Sequence, residues 1–308
     1  MCEHDPGVPD GISKNHYQIM AVGVSAIIVT HNRKDRLRRC LVSIQDQTHS
    51  VREIIVVDNA STDGTANMLE RDFPEVTNLA LSENTGAAGG FAAGMDYGAE
   101  SGVEWLWVLN DDNHPTSGCL ERLLEEAEAL TTRGIQVGMV APRRVRNGNI
   151  NRTLWKGRTI SESKQTDDVA VPSDIVVFNG CLISSQVVEE IGVPHGPYFM
   201  MMEEHEFSLR VRKSGFSNFV FPCDAFKYET ADSYPSWRNY YQTRNHLDMV
   251  LRRHPSWQGL FWWFVRQLKF TYGILFISDR KLERFRMRLL GAYHGAIGKL
   301  GRTITPDG

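Results

Sequence analysis

The chain has 308 residues, 42% of them apolar and 23% charged, the make-up of a folded enzyme rather than of a disordered chain. Its five cysteines, Cys2, Cys40, Cys119, Cys181 and Cys223, show no CxxC spacing, which excludes a zinc ribbon or a disulfide scaffold and suits a reducing compartment. A formal net charge of −3 hides an asymmetry, because residues 237–308 hold 13 Lys/Arg against 4 Asp/Glu and leave 21 against 33 for the rest.

Residues 1–21 place Asp, Pro and His where a signal peptide needs an apolar run, so a flexible polar leader is expected. Residues 25–29 predict a first strand ending in Thr30-His31-Asn32-Arg33. Leu37, Cys40, Leu41 and Ile44, at i, i+3, i+4 and i+7, predict a helix with one apolar stripe. Residues 53–57 predict a second strand, which delivers Asp58 and Asn59 at its carboxyl end ahead of the helix-capping run Ser61-Thr62-Asp63-Gly64. Two βα units in succession begin a parallel sheet. An acidic residue after the second strand of a nucleotide-binding sheet can bond ribose hydroxyls or a base edge. Asp58 is the candidate, whereas capping accounts for Asp63 equally well.

Residues 79–81 predict a short third strand. Asn84-Thr85-Gly86-Ala87-Ala88-Gly89-Gly90 then opens a helix, where glycine permits close backbone approach and a helix N-terminus favours phosphate. Neither a Walker ending nor GxGxxG spacing is present, and tight packing on the sheet is the better account of Gly94 and Gly98. Trp105-Leu106-Trp107-Val108-Leu109 reads as a strand buried on both faces and breaks into Asn110-Asp111-Asp112-Asn113. Oxygen ligands at a strand's carboxyl end suit Mg²⁺ or Mn²⁺ held by one or two carboxylates, with positions left for substrate phosphates. The alternative there is an Asx-turn.

Leu120, Leu123, Leu124, Ala127 and Leu130 predict a helix over 117–133, and residues 137–141 another strand. Residues 143–170 read as a mobile functional loop or disorder. Residues 175–178 predict a strand that passes through Asn179-Gly180 and continues over 181–184. Glu203-Glu204-His205-Glu206 follows the apolar run Tyr198-Phe199-Met200-Met201-Met202. Like charges crowded against an apolar wall raise a carboxyl pKa, the setting of a general acid or base; the alternative is the acidic first turn of a helix. In the basic tail, Trp257, Phe261, Trp262, Trp263, Phe264, Phe270, Tyr272 and Phe276 alternate with cations. Residues 259–278 approach the length of a bilayer span but carry Arg266 and Lys269 near the middle. A helix lying on a membrane is expected rather than one crossing it; a core helix plus a solvated basic helix is the alternative.

Taken in order, several motifs across residues 25–250 resemble glycosyltransferase family 2, the inverting GT-A-type enzymes that use nucleotide sugars. They are Thr30-His31-Asn32-Arg33, the stretch from Asp58 to Gly64, Asn84-Thr85-Gly86 with Gly89-Gly90, Leu109-Asn110-Asp111-Asp112, Phe178-Asn179-Gly180, the Glu203–Glu206 cluster with Arg210, and Tyr240-Tyr241 with Arg244-Asn245. Within the family, the glycine-rich run is most similar to bacterial galactofuranosyltransferases, with rhamnosyltransferases using dTDP-rhamnose as near neighbours.

The resemblance implies an α/β fold: a GT-A-type, Rossmann-like, mostly parallel sheet flanked by helices, with a helical, basic and aromatic C-terminal appendage. A leader over 1–21 would precede a catalytic domain over 22–236, with a nucleotide-sugar half of about 22–115 and an acceptor half of about 116–236. A membrane-associating region would cover 237–308. Glu204 takes the catalytic-base position, with Glu203 and Glu206 beside it. Thr30, Asn32, Arg33, Asp58, Asn59, Asn84, Gly86, Gly89, Gly90 and Asp111 would bind the nucleotide sugar. Asp112 and Asn110 would hold Mn²⁺ or Mg²⁺, with Glu229 where many members have a His ligand. Asn179, Gly180 and Arg244 would meet the acceptor. The implied reaction moves galactofuranose from UDP-galactofuranose to a glycan or lipid-linked glycan at the cytoplasmic face of the membrane, with no nucleic acid involved. A nucleotidyltransferase or a non-catalytic nucleotide-sugar binder would share part of this pattern.

Overall fold

The structure is a computed structural model that describes residues 22–142, 170–221, 235–276 and 280–305, with the backbone of short strands at 145–146, 149–150, 154–155, 158–159 and 226–228. The leader over 1–21, Cys2, Cys223, Glu229 and most of the expected loop over 143–170 lie outside the described residues.

Val24–Thr30 (β1), Glu53–Asp58 (β2), Thr77–Ala80 (β3) and Trp105–Asn110 (β4) alternate with helices Lys34–Gln45 (α1), Thr65–Asp72 (α2) and Gly86–Glu100 (α3). β1 pairs in parallel with β2 and with β4, and β2 in parallel with β3. Alternate residues of β1 feed two cores. Ala26 and Ile28 join Leu37, Cys40 and Ile44 of α1 and Leu120 and Leu124 of Cys119–Thr132 (α4). Ile27 and Val29 join Phe91 and Met95 of α3. Burial on both faces is why the strand is an unbroken apolar run. The third strand starts two residues earlier than the sequence suggested and excludes Leu81.

Beyond a short strand at Asn113–Pro115 (β5), α4 leads to Val137–Pro142 (β6). Two-residue strands follow at Val145–Arg146 (β7), Asn149–Ile150 (β8), Leu154–Trp155 (β9), Arg158–Thr159 (β10) and Val171–Pro172 (β11). Then come Cys181–Ser184 (β12), helix Ser185–Ile191 (α5), helix Glu203–Lys213 (α6), Ser217–Phe221 (β13) and Phe226–Tyr228 (β14), the last paired with β5. The order across the eight-stranded sheet is β11-β13-β6-β12-β4-β1-β2-β3, with only β12 and β11 antiparallel to their neighbours. The expected mostly parallel sheet flanked by helices is therefore present.

Residues 175–178 correct the sequence reading, since they are not a strand. The N–H of Val176 donates to the Ser208 hydroxyl (3.0 Å), which donates back to the Val176 carbonyl (3.2 Å), so a side chain on α6 takes the place of a ladder. The strand begins only at Cys181.

The C-terminal region is helical: Trp237–Asp248 (α7), ending in a π turn over Met249–Arg253, then Trp257–Phe276 (α8) and Lys281–Ile297 (α9). Its ends are built into the body. Tyr240, Tyr241, Arg244 and Asn245 of α7 are fully buried. Gly291 and Gly295 let α9 lie directly on α7, because a Cβ there would stand 2.5 Å from the Tyr240 carbonyl and 2.6 Å from that of Arg244. After α9 the chain returns to the body, where the Gly301 N–H donates to Pro197 O (2.8 Å) and the Tyr241 hydroxyl to Ile304 O (2.6 Å).

Candidate active site

The carboxyl ends of β1, β2 and β4 lie side by side, with Thr30 opposite Asp58 and Val29 opposite Asn110. Their polar residues are largely satisfied by one another. The Thr30 hydroxyl donates to Asp111 Oδ2 (2.9 Å) and Arg33 to Asp111 Oδ1 (3.1 Å), so Asp111 turns back toward β1. Burial pushes the Asp111 carboxyl up, while Arg33 and Thr30 pull it down. Asn59 is buried and bridges to the head of α3, donating to Gly86 O (3.0 Å) and accepting from the Thr85 N–H (3.1 Å) and hydroxyl (2.9 Å). Thr30, Asn59 and Asp111 therefore shape the floor of this edge through contacts with Arg33 and the head of α3.

Two candidates keep open groups. Asn32, exposed at φ +52°, clips the loop after β2 by accepting the Thr62 N–H (2.7 Å). Asp58 accepts the Ser61 N–H through Oδ1 (2.9 Å), and its second oxygen has no partner among the described residues. Asp63 is a cap, accepting from the N–H groups of Lys34 (2.8 Å) and Thr65 (3.1 Å).

The glycines of α3 answer mainly to protein neighbours. At Gly86, φ +72°, a Cβ would lie 2.0 Å from the Phe199 carbonyl oxygen, which also accepts the Ala88 N–H (3.0 Å). Asn84 Oδ1 accepts the Gly86 N–H (2.8 Å). Gly90 and Gly94 press on Val29 and Ile27, each 2.5 Å from the position a Cβ would take. The group approaching the backbone at Gly86 is thus a peptide carbonyl. Gly90 packs on the sheet as Gly94 and Gly98 do. Gly89 crowds its own Thr85 in the same way.

On the far wall, α6 opens with the acidic cluster, and its members separate. Glu204 is partly exposed and accepts the Phe178 N–H through Oε1 (2.9 Å). The next residue, Asn179, accepts a hydrogen bond from the side-chain amide of Asn110, and the Trp107 indole donates to Gly180 O (3.1 Å). One loop thus joins the end of β4 to the head of α6. Burial raises the Glu204 carboxyl, and the Phe178 N–H opposes it. Glu203 is buried and raised by burial and then by the charge of Glu204. His205 offers no compensating cation, because burial and Arg266 push it down to about 4.

Two expected roles are corrected here. Glu206 is fully buried and paired with Arg210 (2.8 Å) and Arg253 (3.1 Å), a structural ion pair rather than a neighbour of the reacting groups. Arg244 is also fully buried, and it donates to Tyr198 O (2.8 Å), Gly301 O (2.7 Å) and Thr303 (3.0 Å), so it cannot meet an acceptor.

The model of the family described as Glycosyl transferase family 2 matches residues 25–192, which includes the whole strand-end edge. The chain belongs to glycosyltransferase family 2. Among curated relatives, galactofuranosyltransferase GlfT1 of Mycolicibacterium smegmatis is 28% identical over 221 residues, 66% of this chain and 73% of that one. GlfT1 of Mycobacterium tuberculosis strain H37Rv is 29% identical over 226 residues, 68% and 73% of the two chains. Among solved structures, Staphylococcus aureus TarS superposes with a TM-score of 0.57 at 15% identity over 90% of this chain, which spans about half (53%) of that TarS chain. Mannosyltransferase PcManGT from Pyrobaculum calidifontis, in complex with GDP-Man and Mn²⁺, superposes with a TM-score of 0.55 at 16% identity, covering 90% and 87%. These likenesses establish the GT-A architecture, and the protein is a glycosyltransferase.

Family 2 membership implies a divalent cation, and the donor set suits one shared with a ligand. Among the described residues no three His, Cys, Asp or Glu side chains form a closed cage. Asp112 is partly exposed at the strand end, and the Asn110 amide, which donates to Asn179, has its own oxygen available. One carboxylate and one neutral oxygen leave most positions for phosphates, as Mg²⁺ sites usually do. The sequence reading missed Asn245 and the Phe178 N–H. Asn245 stood within the Tyr240-Tyr241, Arg244-Asn245 motif but was given no role, and a backbone donor leaves no mark in side-chain identity.

Proposed function

We propose that this family 2 enzyme transfers galactofuranose from UDP-galactofuranose, with inversion, to a hydroxyl of a glycan or lipid-linked glycan. What supports the reading most is the loop shared by Glu204 and Asn110, which brings a base-like carboxylate beside the oxygen-rich end of β4. The donor sugar rests on the likeness to the two galactofuranosyltransferases.

In this reading Asn32 and Asp58 hold the nucleoside, while Asn84 and the positive end of the α3 dipole face the diphosphate. Asp112 and the Asn110 oxygen would hold Mn²⁺ or Mg²⁺, which offsets the charge building on the departing diphosphate. Glu204 takes the proton of the acceptor hydroxyl, whose oxygen bonds to the anomeric carbon as the bond to the diphosphate breaks. Asn179 and Gly180 line the acceptor side. Incubation with UDP-galactofuranose and Mn²⁺ is expected to release UDP, faster when a lipid-linked glycan is added. Release of dTDP from dTDP-rhamnose instead would reassign the donor, and pyrophosphate release would make the protein a nucleotidyltransferase.

We also infer that the acceptor is met at the inner face of a membrane. No helix among the described residues is long and apolar enough to cross one. Yet α8 exposes Trp257 (76%), Trp262 (65%) and Tyr272 (62%), and α9 exposes Leu282 (87%), Leu289 and Tyr293 on the face opposite its contacts with α7. Aromatic residues interleaved with Lys and Arg favour an anionic interface. Flotation with vesicles containing an anionic phospholipid is expected to carry the protein at low salt, and the double variant Trp257→Ser/Trp262→Ser is expected to stay behind. Equal flotation of both would remove this face from consideration.

A further inference from the structure

The turn that feeds α6 has an unusual backbone. Phe199 has φ +62° and ψ −56°, and the Met200 N–H donates across it to Tyr198 O (2.6 Å), a γ-turn of the rare, strained hand. Met201 and Met202 follow at φ +68° and +73°. Three non-glycine residues within four positions occupy a region that L-residues avoid, and such conformations persist only where the surroundings over-determine them.

Those surroundings can be named. The Asn245 side-chain amide donates to Tyr198 O (3.0 Å), Met200 O (2.8 Å) and Met201 O (2.8 Å), so one group from α7 gathers three carbonyls of the turn. Arg244 orients that amide by donating to its oxygen (2.7 Å) and adds a second donor to Tyr198 O (2.8 Å). From the other side, the Ala88 N–H takes the Phe199 carbonyl (3.0 Å), against which Gly86 leaves no room for a side chain. The turn is therefore held between α7 and the head of α3. Its last residue, Met202, immediately precedes α6, on which Glu204 is the second residue.

We propose that Asn245 is a positioning residue: by gathering the carbonyls of the Tyr198–Met202 turn, it fixes where the Glu204 carboxylate stands relative to the head of α3. The proposal rests on the reading of Glu204 as the base. One side chain thus sets the spacing between the donor side and the acceptor side of the cleft, and a misplacement of about 1 Å at a reacting group can cost ~10²-fold in rate.

Asn245→Ala is expected to lower kcat with UDP-galactofuranose and Mn²⁺ by about 10- to 100-fold while KM for the donor stays within about threefold. The acid limb of the rate profile should also move to higher pH, because slack in the turn loosens the Phe178 N–H bond that favours the charged form of Glu204. Carboxyl ¹³C titration of protein labelled at glutamate reads the same displacement without turnover. Asn245→Ser, which keeps one donor, should fall between wild type and Asn245→Ala in both readouts, and serves if the alanine variant folds poorly. Variants that lose thermal stability but keep wild-type kcat and an unmoved carboxyl titration would overturn the proposal. Near-native turnover of Glu204→Gln, measured with the turn intact, would instead bring down the base assignment itself.

Discussion

Glu204→Gln is expected to lower turnover by a factor of about 10²–10⁴, the contribution typical of a positioned general base, with donor KM nearly unchanged. Glutamine keeps the shape and can still accept the Phe178 N–H, but it cannot take a proton. Initial rates of UDP release at saturating donor measure this, and a variant within tenfold of wild type would remove Glu204 from the chemistry. The pH profile carries a linked expectation. Burial raises both Glu203 and Glu204, and the charge of Glu204 adds to the rise at Glu203. A base with a raised pKa works only above it, so the rate should climb along an acid limb displaced above the ordinary carboxylate range. Glu203, raised further by the charge of Glu204, still holds its proton while Glu204 ionises, so Glu203→Gln should leave that limb nearly in place. Stability runs the other way. Folded carboxyls that hold protons more tightly than unfolded ones contribute stability that is full below the unfolded value, about 4.3, and is lost as pH rises through the folded values. Glu203→Gln should therefore flatten the fall in melting temperature toward neutral pH.

Glu206→Ala is the change with the largest expected effect on stability. Its carboxylate is fully buried and is shared by Arg210 from α6 and Arg253 from the π turn after α7. Removing one member of a fully buried ion pair costs about 3–5 kcal/mol, and solvent offsets part of that here because the Arg210 and Arg253 side chains are 19% and 35% exposed. Arg210 also donates to Ile191 O (2.6 Å) and Val193 O (2.7 Å), which hold its guanidinium in place beside the position of the lost carboxylate. The midpoint of urea unfolding measures the loss. Turnover of the fraction that remains folded should stay within about threefold of wild type, because the Glu206 carboxylate is engaged by Arg210 and Arg253. A collapse in kcat with unchanged stability would return Glu206 to the reacting groups.

The strand ends were legible in the sequence because burial on both faces forces an unbroken apolar run, and the run stops where the edge meets solvent. Thr30, Asp58 and Asn110 stand where that logic puts them. The same logic failed at residues 175–178, whose apolar side chains are buried as expected at Val176 and Phe178 but whose backbone bonds side chains of α6, Ser208 at Val176 and Glu204 at Phe178. Apolar pattern reports burial, not the partner of the peptide groups. Arg244 and Glu206 failed for a related reason, since a charged residue in a motif looks the same in sequence whether it faces a substrate or closes a buried pair. Gly86 was read correctly as a place of close approach, but the approaching group came from more than 100 residues away, as the Phe199 carbonyl. The turn over Tyr198–Met202 gave no signal, because its positive φ angles fall on Phe and Met rather than on glycine.

The end of the family match at residue 192 precedes Glu204, Asn245 and the returning strand of chain that bonds Pro197 and Tyr241. Homology and cooperative unit therefore have different borders in this protein. A shortened chain ending between β14 and α7 would leave the carbonyls of Tyr198, Met200 and Met201 without their Asn245 donor and the γ-turn free to relax. Such a fragment would keep the sheet that defines the family and lose the register between its two substrates.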